Sequence, residues 1–140
     1  MINGATCDPA YTTGCGQTPA TVTTGSNPWG IAVDQATDTI YTANIADSEH
    51  PGTVSVINGA SCNGSDHAGC GQTPASIAVG FGSVGMAIDP TTDAVYVANI
   101  QDASVSVIDG ATCNGSGIAG CCQAPPKLAV GDGLGPGTGP

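Results

Sequence analysis

The feature that most constrains this chain is an internal repeat. The stretch TIYTANIADSEHPGTVSVINGASC at 39–62 returns as AVYVANIQDASVSVIDGATC at 94–113. At an offset of 55 residues, Ile2 to Cys7 falls on Ile57 to Cys62, and the match runs on through Tyr41/Tyr96 and Asn44/Asn99. After Asp47/Asp102 the offset drops to 51 and holds through Cys62/Cys113 and Gly80/Gly131. The second copy thus lacks a counterpart of Ser48, Glu49, His50 and Pro51. A period of this length marks stacked repeat architectures such as propellers and solenoids.

Within one period four short runs read as strands: 30–33 (GIAV), 39–44 (TIYTAN), 53–58 (TVSVIN) and 75–79 (ASIAV). The second set is 86–88, 94–99, 104–109 and 127–130. Gly, Pro, Asn and Asp bound them, as expected of strands separated by turns. Long helices are excluded by composition: the chain has one Lys (Lys127), no Arg and one Glu (Glu49), but many Thr, Val, Ile, Gly and Ser. The fold class is all-β. Four antiparallel strands per repeat make one blade of a β-propeller, strands a to d from the centre outward. The expected organisation is a remnant of strands c and d at 1–25, a full blade at 30–80, a second at 85–131, and a flexible Gly/Pro tail at 132–140. Two blades do not close a propeller, which needs about four to eight. The open blade faces should therefore meet the remaining blades of a longer chain or self-associate. Met1 aligns with Val56 and Val107, and a signal peptide and further blades are expected upstream and downstream of these residues.

Six of the seven cysteines fall into three C-x7-C pairs: Cys7 and Cys15, Cys62 and Cys70, Cys113 and Cys121. Zinc sites prefer closer pairs with further ligands nearby, so one local disulfide per repeat is expected. Each would contribute about 2.5 kcal/mol in the chain-entropy model and implies an oxidising, extracellular or cell-surface compartment. Cys122 is left unpaired, as a free thiol, an intermolecular link or an alternative partner for Cys113. The net charge of −10 with one cation excludes nucleic acid and anionic membrane surfaces as partners. No apolar run is long enough to insert in a bilayer.

The runs VDQATDTIYTAN and IDPTTDAVYVAN, followed by GTVSVIN and ASVSVID, resemble the YVTN β-propeller repeat family, and GATC…GCGQTPA…AVG looks like its cystine-containing variant in secreted bacterial proteins. The resemblance implies a propeller fold. It leaves function open between surface scaffolds and relatives of lactonase-type enzymes.

The candidate chemistry is sparse. Asn44 and Asn99 recur with the repeat and read as structural. The pairs Asp34/Asp38 and Asp89/Asp93 are too few in oxygens for calcium and read as turn-forming. Asp47, Glu49 and His50 occupy the enriched b–c loop. The loop from 25 to 30 brings Trp29, the only tryptophan, to the same face, because d–a and b–c loops share one rim. These four residues are the candidate ligand contacts. Against that, Trp29 aligns with Val84 and can simply fill space between blades, and His50 can be a solvated loop residue. His67 falls on the opposite rim. GFGSVG at 80–85 precedes a strand and is not a dinucleotide motif. No catalytic residue, metal or cofactor is expected. The preferred reading is a non-catalytic secreted or cell-surface scaffold with a protein or carbohydrate ligand; the alternative is part of a lactonase-like or other hydrolytic propeller.

Overall fold

The computed structural model describes residues 1–131, so the expected tail at 132–140 lies outside them. Eight strands form two antiparallel sheets of four. The first holds β1 (Pro28–Asp34), β2 (Thr39–Asn44), β3 (Thr53–Asn58) and β4 (Ala75–Ala78) in that order; the second holds β5 (Ser83–Asp89), β6 (Ala94–Asn99), β7 (Ser104–Asp109) and β8 (Lys127–Ala129). The sole helical element among the described residues is a 3-10 turn at Ala119–Cys122. The all-β class and the strand order within each repeat are as the sequence implies. The two sheets stand side by side and do not close into a ring.

Residues 1–27 form turns and bends, without a strand, so the outer strands c and d expected at 1–25 are not made. A strand needs a neighbour to pair its backbone. Here the turn into the cystine loop is kept, with the Thr6 and Cys7 N–H groups donating to the Asn3 carbonyl as those of Thr112 and Cys113 donate to that of Asp109. Its bracket is kept too: Asn3 N–H donates to Gln17 Oε1 at 3.0 Å, as Asn58 N–H does to Gln72 Oε1 at 2.8 Å.

The core lies between the sheets. Register pairs Tyr41 with Val56, and Ala43 and Ile77 with Val54, so these side chains share one face of the first sheet. Val95 pairs with Ile108 and Ile88, and Val97 with Met86, on one face of the second. These two faces meet and bury Tyr41, Val54, Val95 and Val97 completely. Polar groups fasten the seam. Tyr41 Oη donates to the Cys113 carbonyl at 2.8 Å, and the Gly115 N–H donates to Thr39 Oγ1 at 2.8 Å. Burial, then the nearby Asp34 carboxylate, pushes the Tyr41 phenol up to about 12, so it keeps the proton it donates. Gly30 lets the inner strands approach, since a Cβ there would collide with the Val84 carbonyl oxygen.

The recurrent Asn is structural, as its repetition suggests. Asn44 Nδ2 donates to Thr53 and Ser55 hydroxyls, and Asn99 Nδ2 to those of Ser104 and Ser106. Cystines join Cys7 to Cys15, Cys62 to Cys70 and Cys113 to Cys121, which leaves Cys122 free and exposed.

Tyr41→Phe should therefore cost about 1 kcal/mol, the worth of a typical hydrogen bond, while Tyr96→Phe, at the equivalent exposed position, should cost close to nothing. Urea unfolding of the two variants checks the contrast.

Candidate functional site

The four candidate residues stand at one end of the first sheet. In the loop between β2 and β3, Asp47 Oδ1 accepts from the backbone N–H groups of Glu49 and His50, both at 2.8 Å. This turn folds the loop back, and it brings His50 Nδ1 to 2.7 and 2.8 Å from the Asp47 carboxylate oxygens. Ala46, with φ of 61°, makes the preceding bend in the left-handed region. The hydrogen bond from His50, followed by that from the Glu49 N–H, holds the Asp47 carboxyl below its ordinary 3.8. Asp47, Glu49 and His50 are all exposed. An ion pair in water contributes little to stability, so what this pair supplies is a fixed orientation.

Trp29 lies within β1, not in the loop ahead of it. Pro28 pairs with Asn44 and Gly30 with Ala43, so Trp29 is the extra residue of a β-bulge. Bulges re-aim side chains, and Trp29 is 74% exposed. It does not fill space between the sheets. The connection before β1 is tied to the β2–β3 loop: Ile45 N–H donates to the Asn27 carbonyl at 3.1 Å, Ala46 N–H to that of Ser26 at 3.2 Å, and Asn27 Nδ2 to that of Ala46 at 2.7 Å. The shared rim deduced from blade topology is thus present, with the tryptophan two residues beyond Asn27.

The second sheet shows what the longer loop changes. Asp102, the counterpart of Asp47, accepts from Phe81 N–H at 3.0 Å and from Lys127 Nζ at 3.3 Å. There the carboxylate fastens the link between the sheets, and the Phe81 N–H chiefly lowers its pKa. The four additional residues of the first loop give Asp47 a partner within its own loop instead.

His67 sits in the cystine loop between β3 and β4, at the other end of the sheet. Asp34 accepts from Ala36 N–H and Thr37 Oγ1, and Asp89 from Thr91 N–H and Thr92 Oγ1, so both aspartates fold their own turns. Among the described residues no group of three His, Cys, Asp or Glu side chains could hold a metal. No described helix is long and apolar enough to cross a membrane. Three intramolecular disulfides are the cysteine usage of an extracellular setting. Sequence reasoning passed over Tyr96, because it stands in the recurrent run. Its signal lay one repeat further on, in the cystine loop that its counterpart Tyr41 engages.

The fold and site define an all-β repeat protein with two cystine-braced four-stranded sheets and one elaborated rim. No protein-family model, curated protein or solved structure matches the chain.

A depressed carboxyl keeps its contact with His50 until the pH falls through its lowered folded value. In a carboxyl-carbon NMR titration, Asp47 should titrate below 3.8, and His50→Ala should move it back up toward that value. An unchanged Asp47 midpoint in the variant would show that the imidazole is not its partner.

Proposed function

We propose that this chain is a non-catalytic β-propeller repeat module of the YVTN type, acting outside the cell or at its surface as a scaffold that holds a ligand on one blade rim. The resemblance of the repeats supports the propeller reading, and the three disulfides support the compartment. The observation that carries the binding role is the rim itself. Trp29 is 74% exposed on a bulge, at the same end of the sheet as an oriented Asp47–His50 pair. The second copy has Val84 at the first position and no counterpart of Glu49 or His50. Solvating a repeat fold does not require that difference.

Carbohydrate is the ligand class these groups suit best. An indole face stacks on the apolar side of a sugar ring, while a carboxylate and an imidazole exchange hydrogen bonds with hydroxyls. The net charge of −10 favours neutral sugars over anionic ones.

Trp29 is the only tryptophan, so its intrinsic fluorescence reports on the rim directly. Titration with neutral oligosaccharides should give a saturable change. By calorimetry, Trp29→Ala should weaken the same interaction about tenfold or more, as loss of a stacking anchor does. A Trp29→Ala chain that binds as well as the native one would sink the rim assignment. Lactone hydrolysis by the native chain would favour the hydrolytic alternative.

A further inference from the structure

The first sheet carries an empty copy of the slot that Tyr41 fills on the second. In the filled slot the phenol lies against Gly110: a Cβ on that glycine would stand 3.3 Å from Tyr41 Oη, 3.5 Å from Val95 Cγ2 and 2.5 Å from the Asp93 carbonyl oxygen. The hydroxyl donates to the Cys113 carbonyl. Beside it, Asn114 Nδ2 donates to the carbonyls of Gly110 and Ala111 and so shapes the loop.

On the first sheet the same walls enclose a cavity of about 440 Å³, lined by Val33, Asp38, Ile40, Gly59, Ala60 and Asn63. These are the repeat counterparts of Ile88, Asp93, Val95, Gly110, Ala111 and Asn114. Asn63 Nδ2 donates to the carbonyls of Gly59 and Ala60, as Asn114 does to theirs. A Cβ on Gly59 would stand 2.7 Å from the Asp38 carbonyl oxygen and 3.4 Å from Ile40, and its three nearest atoms belong to those two residues alone. Val95, Gly110 and Asn114 are buried, whereas Ile40, Gly59 and Asn63 are half-buried. Ile31 and Val33 are 67% and 56% exposed, although their counterparts Met86 and Ile88 pack against the core.

The outer half of this face is already covered, and in the geometry of the repeat. A Cβ on Gly64 would stand 2.7 Å from Asn3 Cα, as one on Gly115 would stand 2.8 Å from Asn58 Cα. The Met1 amine donates to the Ala20 carbonyl, at the positions where β3 and β4 pair Val56 with Ala75. Residues 1–25 thus take the place of the outer strands of a neighbouring sheet and leave the place of its inner strands open. A second copy of this chain cannot bring Tyr96 to the slot, because β7 and β8 beside that tyrosine are the counterparts of residues 1–25 and would fall on them.

We propose that the slot binds a tyrosine side chain carried on a β-hairpin that has inner strands alone. The phenol seats over Gly59 against Val33 and Ile40, and its hydroxyl donates to the Cys62 carbonyl, on which no hydrogen bond ends among the described residues. A buried tyrosine needs such an acceptor. The hairpin's first strand covers Ile31. Within this chain the counterpart of that hairpin is β1 with β2, so residues 28–44 supply the probe. The slot lies at the end of the first sheet away from Trp29, and either assignment can fail alone.

NMR of the ¹⁵N-labelled full chain, titrated with an unlabelled synthetic peptide of residues 28–44, tests this. The amides of Gly59, Ala60 and Asn63 should shift saturably, while those of Gly110, Ala111 and Asn114 stay in place. The same peptide with Tyr41→Phe should bind about fivefold more weakly, the worth of one hydrogen bond. Val33→Asp in the labelled chain should weaken binding about tenfold or more, since it puts a carboxylate against the ring. Ala60→Glu serves as the second variant should Val33→Asp lose its native circular dichroism. Shifts that do not saturate, shifts at Tyr96 and Val107 instead, or equal binding of the phenylalanine peptide would each overturn the proposal. So would movement of the Gly59 and Asn63 amides on simple dilution of the free chain, which would make a second copy the occupant.

Discussion

The structure depends on the packing of one repeat against the next. A four-stranded sheet of this composition has short strands and small side chains, and a sheet must bury one face to be stable. The first sheet does so by laying Tyr41, Ala43, Val54 and Ile77 on Val95, Val97 and Ile108 of the second. Tyr41 is the largest side chain there, and its hydroxyl reaches the cystine loop of the neighbouring sheet. Hydrophobic packing and a directional hydrogen bond thereby fix both the distance and the register between the sheets.

The remaining devices keep that interface in shape. Each cystine closes a loop that would otherwise be a long irregular excursion, and the loop of the second sheet then serves as a wall of the groove on the first. Asn44 and Asn99 cross-link strand ends from within, where their amides would otherwise lack partners. Charge contributes little: one lysine makes one exposed contact, with Asp102. The fold is held by apolar burial, covalent loops and neutral hydrogen bonds, which suits a chain with few ionic groups.

The repeat made most of this legible in advance. Strand positions, the cystine pairs, the turn-forming aspartates and the shared rim of Trp29 and the β2–β3 loop all follow from aligning one copy on the other. Residues 1–25 align with strands c and d yet form no strand, because the alignment matches side-chain types and a strand also needs a run of backbone partners; one such contact, from the Met1 amine to the Ala20 carbonyl, is made there. Trp29 was assigned to a loop because a bulge is invisible in a pattern of residue types; it becomes evident only in the pairing of Pro28 and Gly30 with Asn44 and Ala43. Tyr96 was passed over because it stands in the recurrent run. Burial depends on which neighbour is present, and sequence identity between copies is silent on that.

The scaffold and the rim divide the molecule by origin. What the two copies share builds the sheets, while what only one copy has, Trp29 and the longer loop, stands in solvent at one end. The central claim is that the two sheets are one cooperative unit joined through the Tyr41 face. Native-state hydrogen exchange tests it most directly. The amides of β2, β3, β6 and β7 should open with a common free energy and a common denaturant dependence. Separate free energies for the first and second sheets would contradict the account, because each would then be stable without the other.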